Sequence, residues 1–321
     1  MTIDPSIAAP QLAPLGPGAL CAASDLVWDL IVLLEQEVFE GGVVDASFVG
    51  IRGGSAANVA EGFSFAGGAG RFLGQVGADS LGTQMVDTLF KRRVEVRGAH
   101  RGRSAQLLSL VNPDGNRSFV VDTGDQNNLY PDDVESTWLD GAALLHISGY
   151  SFVRPQVSDT MQYLATKAHD QQLRVTLDPG SSNCILEFGL DNYRQALART
   201  KPDVLFVNES EADALEISVE GPVDAMLASK PDGVGLVVVH RGASSTLAFD
   251  DRQWCEVPTS PVNDIVDTTG AGDAFAAGFI VAWQQGLDTT SAIDAGHALS
   301  RAIITIPGAS LWGEPATDIR N

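Results

Sequence analysis

Between Ala143 and Val239 the chain alternates short apolar runs with longer amphipathic stretches, and no other feature narrows the possible folds as far. The runs Ala143 to Ile147, Arg174 to Leu177, Val204 to Val207 and Gly235 to Val239 have strand length and little polar alternation, the pattern of strands covered on both faces. Helix-like periodicity fills the intervals at Pro155 to His169, Asp191 to Arg199 and Glu209 to Leu215. Repeated strand, helix, strand order predicts an α/β fold: a doubly wound, mostly parallel sheet flanked by helices, with ligand sites at the carboxyl ends of the strands. With 321 residues, 44% of them hydrophobic, the chain can bury one large core of this kind.

Upstream, Leu26 to Leu34 is a nearly continuous apolar run interrupted by Asp29, and reads as a further buried parallel strand carrying one carboxylate. Phe39 to Ile51 alternates apolar and polar residues, and Gln106 to Val111 and Arg117 to Asp122 flank Asn112-Pro113-Asp114-Gly115-Asn116, a hairpin turn sequence. These segments, at about 39–51 and 106–122, predict a small β-sheet lid hinged at Gly53-Gly54. Arg117, at its edge, is either a phosphate contact or an exposed structural arginine. Ser55 to Gly67 reads as a helix capped near Ser55, with Asn58 in its first turn able to donate and accept at once. Residues 1–18, with four prolines, read as a loose tail, which leaves 19–315 as the folded domain.

The chemistry concentrates in Val266-Asp267-Thr268-Thr269-Gly270-Ala271-Gly272-Asp273-Ala274-Phe275, which leads into an apolar, small-residue helix. Two glycines let a turn expose successive N–H groups at a helix N-terminus, where unpaired donors and the helix dipole favour an anion. Asp273 lies inside that turn, and its charge repels the anion the turn would hold. Such a carboxylate is tolerable if it orients a hydroxyl that attacks phosphorus. The plainer reading is a helix cap preceded by flexible turn residues.

A formal net charge of −21 argues against nucleic-acid and anionic-membrane partners, and no segment has transmembrane length. Cys21, Cys184 and Cys255 are too few and too widely spaced for a disulfide framework or a metal cluster, which points to a reducing cytoplasm. None of Lys91, Lys167, Lys201 and Lys230 follows a glycine, so a P-loop is excluded. The main signals of dinucleotide oxidoreductases, zincins and common serine hydrolases are also missing from the sequence.

The string from Asp267 to Phe279 resembles the C-terminal signature of the ribokinase-like (PfkB) family of carbohydrate and nucleoside kinases. Gly53-Gly54-Ser55-Ala56-Ala57-Asn58-Val59-Ala60, followed by Phe72 to Gly82, resembles the N-terminal signature, in the expected order. The resemblance implies an ATP-dependent phosphotransferase acting on an alcohol of a sugar or sugar acid, with an adenosine-type nucleoside kinase as the alternative. A non-catalytic sugar or nucleotide sensor on the same fold is the rival from another class.

In that family's terms Asp273 is the catalytic carboxylate, and Gly270, Ala271 and Gly272 form the anion hole. Asp29 is assigned to the acceptor as the first-strand Asp, together with Gly53, Gly54, Ser55, Asn58 and Arg117. Asn208-Glu209-Ser210-Glu211 resembles an Asn-x-x-Glu motif, placing Asn208 and Glu211 near Mg²⁺ through water. Arg241, Gly242 and His297 fall where ATP would lie, although His240 and Arg241 depart from the usual turn. A helical His such as His297 reads equally well as structural. Asp267 marks a monovalent-cation position, which implies K⁺, and a homodimer through the lid is a further expectation.

Overall fold

The computed structural model describes residues 18–113, 117–306, 308–311 and 317–318. The expected tail therefore lies outside the described residues, apart from Gly18. The backbone of the first signature organises the amino-terminal half: β1 (Ala19–Ala23), β2 (Val27–Leu34) and β3 (Ala46–Gly53) precede α1 (Ser55–Phe65). Next come β4 (Gly70–Val76), α2 (Ser80–Lys91), β5 (Val94–His100), β6 (Ala105–Val111) and β7 (Arg117–Asp122). Regular alternation then sets in with β8 (Ala142–Ser148), α3 (Pro155–Asp170), β9 (Arg174–Asp178), α4 (Ser182–Phe188), α5 (Leu190–Thr200) and β10 (Val204–Asn208). The remainder is α6 (Glu209–Ala214), α7 (Val223–Ala228), β11 (Leu236–Arg241), β12 (Ser245–Phe249), β13 (Trp254–Pro258), α8 (Ala271–Gln284), α9 (Thr289–Ile303) and β14 (Thr317–Asp318).

Nine strands form the larger sheet, in the order β13-β12-β11-β10-β9-β8-β1-β4-β5. All neighbours from β11 to β5 run parallel, and only β12 and β13 are antiparallel. Strand order reverses at β1, which has β4 on one side and β8 on the other, so the crevice at the carboxyl ends opens there. One face is covered by α3, α5 and α6, where Leu145, Leu177, Val207 and Val239 pack with Met161, Leu164 and Tyr193. On the other, Leu144, Phe206 and Val238 meet Phe275 and Phe279 of α8 and Leu299 of α9. Alternating strand residues thus feed two cores, as a sheet buried on both faces requires.

Gly77 and Gly82 of the first signature have packing reasons. A Cβ on Gly82 would sit 2.0 Å from the Gly77 carbonyl oxygen, and Asp79 caps α2 by accepting from Gly82 N at 2.8 Å.

A second sheet of five strands, in the order β14-β3-β2-β6-β7, stands apart from the first. Here the Leu26 to Leu34 expectation is corrected: β2 pairs antiparallel with β3 and parallel with β6, within the small sheet. The first strand of the large sheet is Ala19–Ala23, wholly buried. Its alanines carry little intrinsic strand signal, whereas the bulkier run beside it carries much. Residues 39–45 belong to the connection between β2 and β3, so the strand expected from residue 39 begins at Ala46. Thr317–Asp318 pairs with Gly50 and Val49, beyond the expected boundary at 315.

Candidate active site

Carboxyl ends of β1, β8, β9, β10 and β11 converge with the N-termini of α1 and α8. Gly270 takes φ 76° as it turns the chain into α8, and a Cβ there would lie 2.6 Å from Cβ of Ala309. A Cβ on Gly272 would meet open space. The Ala271 N–H reaches the Thr268 carbonyl at 3.2 Å, while the N–H groups of Gly272 and Asp273 have no acceptor among the described residues. Two unengaged donors at the head of a fourteen-residue helix make the anion-attracting point of the site. Ala271 contributes less to it than the sequence suggests.

Asp273 presents its carboxylate beside those donors. Ser55 Oγ donates to its Oδ1 at 2.7 Å, and Asn58 Nδ2 donates to its Oδ2 at 2.7 Å. Its pKa rises to about 6, first because protein surrounds it and second because the like charge of Asp178 is close; the bonds from Asn58 and Ser55 pull the other way. A carboxylate poised near neutrality, touching two hydrogen-bonding partners of alcohol and amide type, is suited to accept a proton from a hydroxyl.

Asp178, which sequence reasoning missed, ends β9. It accepts from Gly180 N at 2.9 Å, and Ser148 and Ser55 hydroxyls approach at 3.4 Å. His146 on β8, fully buried, sets its Nε2 3.0 Å from Asp178 and its Nδ1 3.0 Å from Thr176 Oγ1. The available signal was positional: an Asp at the carboxyl end of an apolar strand, followed by Pro-Gly.

Asp25, just beyond β1, was also missed. Burial raises its pKa, Ser24 donates to it at 2.9 Å, and a Cβ on Gly54 (φ 108°) would lie 2.5 Å from its carbonyl oxygen. Asp29 instead lies on β2 of the small sheet, where Ser109 Oγ donates to it at 2.9 Å. The carboxylate that follows the first strand of the large sheet is therefore Asp25. Gly53 abuts Val27 and Asp29. Arg117 begins β7 opposite Val111, and its side chain lies outside the described residues.

On the other side of α8, Asn208 and Glu211 cap α6 reciprocally. Glu211 Oε2 accepts from Asn208 N at 2.8 Å, and Asn208 Oδ1 accepts from Glu211 N at 3.0 Å. Burial pushes Glu211 up to about 7, and the negative charge of Asp178 adds to the rise. These are hard oxygen donors of the kind Mg²⁺ takes, but no group of three or more His, Cys, Asp or Glu among the described residues could hold a metal alone. A Mg²⁺ held by this pair would need further oxygen ligands, such as phosphates and water. Asp267 accepts from Thr269 N at 2.9 Å and from Gly308 N at 3.3 Å, which straps the turn to the chain after α9.

Two residues expected on the nucleotide side find partners within the fold. Arg241 is engaged by Glu256 and by Ser245 Oγ, so its guanidinium faces β12 and β13. His297 is 5% exposed, with Nε2 2.9 Å from Thr246 Oγ1 and its ring against Phe275. Polar neighbours outside the site satisfy both side chains. Gly242, at φ 55° with open space where a Cβ would stand, remains at the turn. Its neighbour His240 packs 4.1 Å from the Phe275 ring, leaves Nε2 without a partner, and is driven down to about 3 by burial.

Comparison with known proteins identifies the family. The profile of the pfkB family of carbohydrate kinases matches residues 20–316. Adenosine kinase of Saccharomyces cerevisiae is 28% identical over 286 residues, 82% of this chain and 81% of that protein. An ATP-dependent ribose-1-phosphate kinase of Halopiger xanaduensis is 30% identical over 249 residues, 77% of this chain and 78% of that protein. A putative ribokinase II from E. coli, solved with ATP and Mg²⁺, shares the fold at a TM-score of 0.77 and 20% identity, covering 92% of this chain and 95% of that one.

Proposed function

We propose, from the premise that this chain belongs to the pfkB family of carbohydrate kinases, that it transfers the γ-phosphoryl group of ATP to a hydroxyl of an uncharged sugar or nucleoside. The observation that carries the reading is the Asp273 carboxylate, raised to about 6, beside the unengaged N–H groups of Gly272 and Asp273. The acceptor oxygen forms a bond to the γ-phosphorus as the bond from that phosphorus to the β,γ-bridging oxygen breaks. Asp273 takes the hydroxyl proton, and ADP leaves. The helix N-terminus, with Gly270 shaping the turn, stabilises charge on the transferred group. Mg²⁺, when bound, neutralises the nucleotide phosphates, and Asn208 and Glu211 hold its water shell. K⁺ at the Asp267 turn belongs to the same proposal.

Asp25 and Asp178 take the acceptor-holding role that the sequence assigned to Asp29. Three carboxylates around one small space favour hydroxyl donors and disfavour an anionic acceptor, so a sugar acid recedes. Tyr150 keeps a nucleoside in play. It packs against Gly180, and its phenol pKa is raised, first by burial of the hydroxyl and then by nearby negative groups that include Asp178, Asp25 and Asp273. Free cysteines at Cys21, Cys184 and Cys255 fit a reducing cytoplasm. Among the described residues no helix is long and apolar enough to cross a membrane.

The small sheet serves in this reading as a lid. Its exposed Phe48, Phe119 and Val121 also suit pairing of two copies, testable by sedimentation. Hydrogen exchange in β3, β6 and β7 slows on acceptor binding if the lid closes. The deciding measurement is ADP release across pentoses, hexoses, ribonucleosides, sugar acids and sugar phosphates. An anionic acceptor preferred by more than about a hundredfold in kcat/KM, roughly 2.7 kcal/mol, overturns the uncharged-acceptor reading.

A further inference from the structure

Arg52 lies near the end of β3 in the small sheet, and its side chain crosses Gly53-Gly54 to reach α1. Its Nη1 donates to Asn58 Oδ1 at 2.6 Å, and its Nη2 donates to the Glu61 carboxylate. The same Glu61 receives Arg92 Nη1 at 2.8 Å and the hydroxyl of Ser310. The Arg52 side chain is 0% exposed and that of Glu61 2%. One carboxylate thus meets two guanidiniums, which leaves a buried excess of positive charge next to Asn58, the residue that donates to Asp273.

Stability alone gives little reason for this arrangement. Buried ion pairs lose much of their attraction to desolvation, and Arg92 already neutralises Glu61. Orientation gives a better one. A side-chain amide has one accepting end and one donating end; a guanidinium fixed on the oxygen of Asn58 obliges the NH₂ group to face Asp273. Were the amide reversed, its oxygen would oppose the carboxylate.

We propose that Arg52 is a positioning residue: by holding the amide of Asn58 it sets the orientation and charge state of Asp273, and it ties both to the placement of the small sheet. Because Arg52 and Asn58 stand on opposite sides of the glycine pair, a movement of the sheet that broke their contact would release the amide. The consequence for catalysis rests on the reading of Asp273 as the base; the physical link does not.

The charged and titratable groups near Asp273 are Asp178 on β9, Asp25 after β1, His146 on β8, Glu211 on α6, Tyr150 after β8 and Arg52 on β3. Arg52 is the one arginine among these. The Asp273 carboxyl is followed by ¹³C NMR of aspartate-labelled protein, assigned with Asp273→Asn, and needs no acceptor. In Arg52→Gln its midpoint moves up from about 6 by roughly 0.5 to 1 in pH, whereas Arg52→Lys stays near wild type. Glu61→Gln loses thermal stability and leaves the midpoint in place or lower, because Arg52 keeps its bond to Asn58.

With the acceptor chosen from adenosine, D-ribose and D-fructose, Arg52→Gln lowers kcat by roughly 10- to 100-fold with KM for MgATP within about twofold. In an Asn58→Ala background the same change adds little, since the pathway through the amide is already cut. An unshifted midpoint in Arg52→Gln overturns the inference. So does a Glu61→Gln protein that behaves like Arg52→Gln, because the arginine would then act only as half of an ion pair. If Arg52→Gln does not fold, an unshifted midpoint in Asn58→Ala overturns the inference in its place. A shifted midpoint together with an Asp273→Asn protein of wild-type turnover supports the link and overturns the reading of Asp273 as the base.

Discussion

The two flanks of α8 differ in how they are built. On the acceptor flank, side chains from α1, α8, β8, β9 and the turn after β1 are already bonded: Ser55 and Asn58 to Asp273, His146 to Asp178, Ser24 to Asp25. On the nucleotide flank the side chains bond within their own elements or to neighbouring strands. Asn208 and Glu211 cap their own helix, Arg241 holds Glu256, and His297 holds Thr246. What that flank offers is backbone: the N–H groups of Gly272 and Asp273 and the open turn at Gly242. Backbone donors recognise phosphate whatever the rest of the ligand, whereas a side-chain cluster can discriminate among hydroxyl patterns. Under the proposed function, specificity then belongs to one flank and general phosphate affinity to the other.

The largest expected effect lies on the acceptor flank. Asp273→Asn lowers kcat by roughly two to four orders of magnitude while ATP binding persists. Near-wild-type turnover would remove the base from the scheme. Next, Asp25→Asn raises acceptor KM by roughly 10- to 100-fold, and Asp29→Asn changes it by less than about threefold. Equal effects at the two positions would erase the distinction between the sheets.

On the nucleotide flank, Glu211→Ala shifts the Mg²⁺ concentration for half-maximal rate by about three- to tenfold with acceptor KM nearly constant. A change confined to acceptor KM would put Glu211 on the wrong side. The smallest effect belongs to Arg241→Ala, under about twofold in KM for ATP, because its charge is already engaged at the surface.

pH separates the flanks as well. Asp273 must be ionised to take a proton, so kcat/KM rises with pH through about 6 and is lost below it. Stability has the opposite sign. The folded-state values of Asp273 and Glu211 lie above the ordinary 3.8 and 4.5, so between about pH 4 and pH 7 these two groups hold more protons in the folded chain than in the unfolded one, and they lower stability as pH rises. Thermal melts of Asp273→Asn and wild type should therefore change relative to each other across that interval, with wild type losing ground toward neutral pH. Parallel melts would deny the shift.

Chemistry carried by contiguous residues was legible in the sequence. Gly270, Gly272 and Asp273 sit in one turn, and Ser55 and Asn58 one helical turn apart, so local spacing alone brings them together. Asp178 and His146 are single residues on separate strands, joined by the pairing of β8 with β9, and spacing says nothing about which strands pair. The strand that carries Asp29 was misplaced for a related reason. Periodicity finds a strand without saying to which sheet it belongs, and Leu26 to Leu34 outweighed the alanine-rich β1 that holds the true central position. Arg241 looked available because a sequence shows a charge without its counter-charge; Glu256 reaches it only through the pairing of β12 with β13.

The serine hydroxyl on Asp273 has a consequence for idle turnover. Ser55 places an alcohol 2.7 Å from the carboxylate, so the position a substrate hydroxyl would take is held by a group tethered to the chain. A lone water arriving there competes with a neighbour of high effective concentration and has nothing further to offer. A polyhydroxyl molecule arrives with additional groups for Asp25 and Asp178, and those extra bonds can displace the serine where water cannot. If the proposed function holds, the chain itself supplies an alcohol that stands between a bound nucleotide and stray water.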